Sequence, residues 1–103
     1  MTLPKFPHNR SGALIDNQAA SILRVLGHSH RLKILCALMN APCTVRELGN
    51  LTGIKQPTLS QQLRILRDQH IVESYRIARN VSYKFRKNSY CNKIIDIIDI
   101  IRN

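Results

Sequence analysis

The residues best suited to chemistry in this sequence are short polar side chains that follow Lys55. Gln56, Thr58, Ser60 and Gln61 offer hydrogen-bond donors and acceptors within one short stretch. Glutamine pairs bidentately with adenine, whereas serine and threonine contact base edges or thymine methyl groups. If this stretch begins a helix, its first residues are suited to read base edges in the major groove of DNA.

Basic residues follow at positions that suit the DNA backbone. Arg64 and Arg67 lie further along the same predicted helix, and Arg76 and Arg79 lie in a predicted hairpin. Arginine contacts to phosphate position a protein on the duplex without reading its sequence. The predicted DNA-contacting residues are Lys55, Gln56, Thr58, Ser60, Gln61, Arg64, Arg67, Arg76, Arg79 and Asn80.

The charge of the whole chain agrees with this hypothesis. Sixteen Lys and Arg against six Asp and Glu give a net charge of +10 over 103 residues. The segment 55–87 contains eight of the basic residues, opposed only by Asp68 and Glu73. So basic a small domain indicates a polyanionic partner, and counterion release from phosphates favours nucleic acid. An anionic membrane surface would explain the charge equally well.

The sequence also bears on compartment and on enzymatic activity. No apolar run approaches the length of a transmembrane helix, and the N-terminal residues contain no apolar signal segment, so we expect a cytoplasmic protein. In a reducing cytosol, Cys36, Cys43 and Cys91 are packing residues or reactive thiols, not a disulfide framework. Paired carboxylates and a Gly-rich phosphate loop are missing, so we expect no enzyme and no cofactor.

The length fits one domain, and periodicity predicts its first two helices. Residues 1–14 lack periodicity and are predicted to be a flexible basic tail, which leaves 15–103 as the DNA-binding and dimerisation domain. Asp16 or Asn17 caps the first helix and Gly27 ends it. Ser29 is the predicted cap of the second helix, which ends before Pro42.

Two more helices and a hairpin follow. Thr44 and Glu47 have the spacing of a capping box, so they predict the start of a third helix that ends near Gly53. Pro57 suits the first turn of the fourth helix, which extends to about Gln69. Its apolar stripe is Leu59, Leu63 and Leu66. Alternating β-forming residues then predict strands over 71–76 and 81–86 joined by a basic turn.

The last element, residues 90–101, is predicted to be a helix. Asp96 and Asp99 form one polar stripe, and isoleucines cover most of the remaining surface. A helix that is apolar nearly all round is buried on more than one side, so we expect a partner subunit to cover it. The fold class is therefore mainly α with a small β-hairpin: a winged helix-turn-helix of five helices and a two-stranded wing.

Three segments resemble the ArsR/SmtB family of bacterial repressors. They are LGHSHRLKIL (26–35), TVREL (44–48) and QPTLSQQLRILR (56–67), and the similarity covers about residues 18–100. The resemblance implies a homodimer built from the first and last helices, a palindromic operator and repression relieved by an inducer. In the wing, Ile77 and Ala78 replace the acidic residue and glycine of many relatives, and we expect Asn80 to adopt the positive φ angle instead.

The resemblance also directs attention to metal sites, which this sequence does not match. Thr44 and Arg46 occupy the places of cysteine ligands, and neither side chain replaces a thiolate. Cys43 is out of register, and His28 and His30 are expected to cap a helix or make surface contacts. The places of the last-helix zinc ligands are taken by Lys87, Ser89, Ile100 and Asn103. We therefore predict no metal.

A thiol is the preferred sensor candidate. The segment around Cys36 is similar to the redox- and sulfur-responsive branch that includes BigR, SqrR and HlyU, where the second-helix cysteine pairs with one near the end of the last helix. Here the cysteine of the last helix is Cys91, about 15 Å earlier along the helix axis. A disulfide requires Cα atoms within about 7 Å, so a Cys36–Cys91 pair requires a changed docking of that helix. Packing roles for both cysteines remain open.

Three hypotheses follow from the sequence. The first is a dimeric repressor that a persulfide or oxidant switches through Cys36. The second is the same repressor with a metal, another effector or none. The third, of a different class, is a winged-helix module whose basic face binds an acidic protein.

Overall fold

Five helices and three short strands follow one another in the computed structural model, which describes residues 17–102. The predicted fold class is confirmed. The predicted tail, the possible cap Asp16 and Asn103 lie outside the described residues. The elements are α1 (Asn17–Leu26), α2 (Ser29–Asn40), β1 (Cys43–Thr44), α3 (Val45–Thr52), α4 (Thr58–Asp68), β2 (Val72–Ile77), β3 (Asn80–Phe85) and α5 (Ser89–Arg102).

The core is centred on α2, which contacts α1, α3, α4 and β3. Ile34 and Leu35 of α2 are fully buried, because the apolar faces of the surrounding helices all point toward them. The predicted stripe of α4 is buried as well, with Leu66 completely inaccessible. Burying this stripe turns the opposite face of α4 outward, which fixes the orientation of its polar residues.

The sheet has the order β1-β3-β2, and all its pairs are antiparallel. The predicted wing is present as β2 and β3. Strand β1 was not predicted; it has only two residues and pairs Cys43 with Tyr83 and Thr44 with Ser82. This short strand joins the start of the helix-turn-helix to the wing.

Side-chain caps define the N-terminal ends of α3 and α2. The predicted capping box is present: Glu47 N donates to Thr44 Oγ1 (3.1 Å) and Thr44 N donates to Glu47 Oε1 (2.9 Å). The predicted cap of α2 is wrong by one residue, because Ser29 is already helical and His28 is the cap. His28 Nδ1 accepts a hydrogen bond from the backbone nitrogen of His30 (3.2 Å), so the His28 side chain has a local structural role.

At the wing tip, the positive φ angle is at Ala78 and not at Asn80, where we expected it. Ile77 pairs with Asn80, so the turn contains only Ala78 and Arg79. Both favoured two-residue hairpin turns require a positive φ at the first central residue. Ala78 accordingly has φ 55°, whereas Asn80 belongs to β3 and does not have the positive φ that we expected of it.

The two terminal helices leave apolar side chains uncovered. Ile94 and Ile98 of α5 are fully buried, but Ile100 is 74% exposed and Ile101 58% exposed. Leu23 of α1 is 65% exposed. None of the helices within residues 17–102 combines the length and apolar character that crossing a membrane requires.

Candidate nucleic-acid interface

The turn between α3 and α4 is fixed by one glycine and one buried side chain. Gly53 has φ 74° and its N–H donates to Gly49 O (2.9 Å), which ends α3. Ile54 follows and is buried, and it anchors the turn to the core. The chain then enters α4 through Pro57. These contacts hold α3 and α4 in the arrangement of a helix-turn-helix.

Most of the predicted DNA-contacting residues of this unit lie on its surface. Thr58 is half-buried at the start of α4 and provides less side-chain surface than its neighbours. The rest are exposed: Lys55, Gln56, Ser60, Gln61, Arg64 and Arg67. The exposed residues are polar at the N-terminal end of the helix and basic toward its C-terminal end. This order suits contacts of the polar residues with base edges and of the basic residues with the DNA backbone.

One pair of predicted base-reading residues is engaged internally. Gln56 Oε1 accepts a hydrogen bond from Ser60 N (3.1 Å) and a second from Ser60 Oγ (2.7 Å). Gln56 therefore caps the N-terminal end of α4 through its side chain. Gln61, the next residue along α4, is exposed.

The wing contributes its predicted residues at the tip. Arg76, Arg79 and Asn80 are exposed, and α4 packs on β2, so helix and wing are adjacent. Further from the tip, Lys84 Nζ lies 3.8 Å from Glu73 Oε1 and 5.2 Å from the centre of the Tyr75 ring. The positive charge of Lys84 is thus partly compensated, which leaves the arginines as the principal charges of the wing.

Arg31, which has no predicted role in the interface, connects α4 to the end of α1. Arg31 Nε donates to Val25 O (3.2 Å) and Arg31 Nη2 to Arg24 O (3.1 Å), both at the end of α1. Arg31 Nη1 donates to Gln62 Oε1 (3.5 Å) on α4. The guanidinium satisfies carbonyls that a helix end leaves unpaired and joins α1 to α4. No local pattern in the sequence predicts this contact of Arg31 with α4.

The three cysteines occupy different environments. Cys91 is fully buried and its thiol donates to Ile71 O (3.2 Å); burial raises the pKa of this thiol. Cys43 is also buried and donates to Ala41 O (3.3 Å), and burial followed by the charge of Glu47 raises its pKa. Cys36 is half-buried on α2 against the core. It is the most accessible of the three thiols.

The positions that correspond to the cysteine ligands of metal-sensing relatives carry different donor atoms in this chain. Thr44 and Arg46 offer a hydroxyl and a cation at the start of α3, and Thr44 Oγ1 is already used by the capping box. Within residues 17–102, no group of three His, Cys, Asp or Glu side chains converges as a metal-binding set. The residues at the family's third-helix site therefore do not fit a thiolate-bound metal.

Helices α1 and α5 border a groove that includes the exposed side chain of Leu23. Ser21 Oγ and Tyr90 Oη are 2.7 Å apart, and Lys93 Nζ donates to Gln18 Oε1 (2.6 Å). These hydrogen bonds keep the two helices side by side. The groove is lined by Gln18, Ala19, Ile22, Leu23, Lys93, Asp96 and Ile97.

Comparisons with known proteins agree with this geometry. Residues 28–74 match the family described as "Bacterial regulatory protein, arsR family". The chain is 43% identical over 68 residues to the biofilm growth-associated repressor of Xylella fastidiosa, a match that spans 66% of this chain and 60% of that protein. It is 39% identical over 79 residues to the HTH-type transcriptional regulator YgaV of Escherichia coli, spanning 76% and 79%.

A solved structure shows the same similarity in three dimensions. The crystal structure of the transcriptional repressor BigR from Xylella fastidiosa superposes with a TM-score of 0.76 at 36% identity. The superposition covers 82% of this chain and 83% of that one. The chain matches less than two thirds of the length of the biofilm repressors in the sequence comparison.

Proposed function

The chain belongs to the arsR family of bacterial regulatory proteins, and on this premise we propose that it is a transcriptional repressor that binds operator DNA as a homodimer. The observation that carries the proposal is the outer face of α4. The buried leucine stripe turns Gln61, Arg64 and Arg67 outward beside a basic wing. Polar residues that read bases and arginines that bind phosphates are thereby presented on one helix.

The homodimer is supported by the uncovered apolar residues of α1 and α5. Leu23 and Ile100 are each more than half exposed on helices that lie side by side. In this proposal, a second copy of the chain covers both residues, and the two α4 helices read the two halves of a palindrome. The paired variant Leu23→Asp with Ile100→Asp is expected to be monomeric by analytical ultracentrifugation, with Arg24→Gln as a control on the same helix.

Relief of repression is proposed to act through the Cys36 thiol. Cys36 is the most accessible of the three thiols, whereas burial and a raised pKa disfavour reaction at Cys91. With a polysulfide, the Cys36 thiolate attacks a sulfane sulfur, becomes a persulfide and releases a polysulfide one sulfur shorter. Cys91 remains the predicted second thiol, and a Cys36–Cys91 bridge requires α5 to move.

The test measures binding to a labelled duplex from the promoter region of the protein's own gene, with a shuffled duplex as control. The reduced protein is expected to prefer the promoter duplex, and preference lost after polysulfide and restored by reductant supports the complete proposal. A preference that oxidants leave unchanged supports the repressor without the thiol switch. Absence of binding to either duplex would contradict the repressor and favour a protein-interaction module.

A further inference from the structure

A basic cleft lies between the start of α3 and the tip of the wing. Strand β1 ends at Thr44, where it pairs with Ser82, and the chain then turns into α3 while β3 extends back to Asn80. This divergence opens a cleft of about 360 Å³. Its lining residues are Thr44, Val45, Arg46, Arg79, Asn80 and Val81.

Two arginines from distant parts of the sequence line this cleft. Arg46 belongs to the α3 wall and Arg79 to the wing wall, and both are exposed. The ion pair found within residues 17–102 joins Lys84 to Glu73, so neither arginine is neutralised by a carboxylate of the described chain. Glu47 is close to Arg46 in sequence, but its carboxylate is held by Thr44 N in the capping box.

We infer that this cleft binds a phosphate group of the DNA backbone, with Arg46 and Arg79 as its ligands from opposite walls. Guanidinium groups bind phosphate through paired hydrogen bonds, and the amide of Asn80 adds a donor at the rim. The inference rests on the proposed function and deepens it, because it makes Arg46 a DNA-binding residue although the sequence indicated no such role. A phosphorylated small molecule has the same chemistry, so the test separates the two sources.

The test compares Arg46→Gln, Arg79→Gln and the double variant with wild type on the promoter and shuffled duplexes. Arg24→Gln removes an exposed arginine from α1, outside the cleft, and serves as the matched control. Binding is measured by fluorescence anisotropy over a series of salt concentrations. Each lost phosphate contact is expected to lower the slope of log affinity against log salt by about one and to weaken both duplexes by the same factor.

The outcomes are distinguishable. A reduced slope in the Arg46 and Arg79 variants, with Arg24→Gln unchanged, supports the cleft. An unchanged slope with tight promoter binding overturns the cleft and leaves the proposed repressor intact. If the wild-type protein binds no duplex, both proposals fail as stated. In that case, shifts of the Arg46 and Arg79 side-chain NMR signals on adding inorganic phosphate, at constant ionic strength, would assign the cleft to a small phosphorylated ligand.

Discussion

The carboxamide oxygen of Gln56 accepts two hydrogen bonds from Ser60, one from its backbone nitrogen (3.1 Å) and one from its hydroxyl (2.7 Å). A glutamine that recognises adenine needs this oxygen to accept from the base. Gln56 would therefore have to release the end of α4 before it could read a base. We therefore expect the two glutamines at the start of α4 to have different roles in the proposed interface.

Replacing Gln61 tests this division. Gln61→Ala is expected to cost about 1–3 kcal/mol of binding free energy on the promoter duplex and little on the shuffled duplex, because a base contact is lost. Gln56→Ala is the matched control, and we expect it to lower stability by about 1 kcal/mol through the lost cap. Competition binding and urea unfolding of both variants provide the measurements. Equal losses of Gln61→Ala on the two duplexes would contradict base reading.

The wing tip offers a prediction about stability. Ala78 has φ 55°, a region in which an L-residue other than glycine is strained. Ala78→Gly is expected to raise the free energy of unfolding by about 0.5–1 kcal/mol, because relief of strain outweighs the added entropy of the unfolded chain. Ala41→Gly is the control, since Ala41 has φ −169° and gains nothing from glycine. A loss of stability in Ala78→Gly would contradict this account.

The capping box predicts a pH dependence. Hydrogen bonds from Thr44 hold the pKa of Glu47 below its ordinary value. The stabilisation is therefore complete above the unfolded-state pKa and is lost as the pH falls through the lower folded-state pKa. Glu47→Gln keeps a side-chain acceptor for Thr44 N without titrating. The stability difference between wild type and Glu47→Gln, measured by urea unfolding from about pH 6 to about pH 3, should change in favour of the variant as the pH falls.

The thiols are expected to react in a fixed order. Burial together with a raised pKa lowers the thiolate fraction at Cys43 and Cys91, whereas Cys36 is half-buried. Iodoacetamide should therefore modify Cys36 first in the folded protein, and all three at similar rates in urea. Timed alkylation with peptide mass mapping measures this order. A first modification at Cys91 would remove Cys36 from its proposed place as the accessible sensor.

Much of this fold was predictable because its elements are specified locally. The capping box fixes the start of α3, Gly53 ends it, and the leucine stripe defines the buried side of α4. Strand β1 could not be found in this way, because two residues show no periodicity and the strand exists only through its pairing with β3. The cap of α2 was misplaced because a histidine ring is an unusual acceptor at that position.

The sequence predicted which residues of the site are exposed, but not which of their side chains contact one another. Charge and spacing indicated the residues of α4 and the wing, yet the engagement of Gln56 by Ser60 depends on side-chain geometry. The cleft that joins Arg46 to Arg79 depends on where β1 ends against β3. Such relations arise from tertiary packing, and no local pattern encodes them.

The guanidinium of Arg31 links the end of α1 directly to α4. In the proposed dimer, α1 belongs to the interface between the subunits. Because Arg31 links α1 to α4, this interface sets the distance between the two α4 helices. The proposed dimer would then bind only operators whose half-sites have one fixed spacing. Inserting a few base pairs between the half-sites would leave each half-site intact and still prevent both from being read at once.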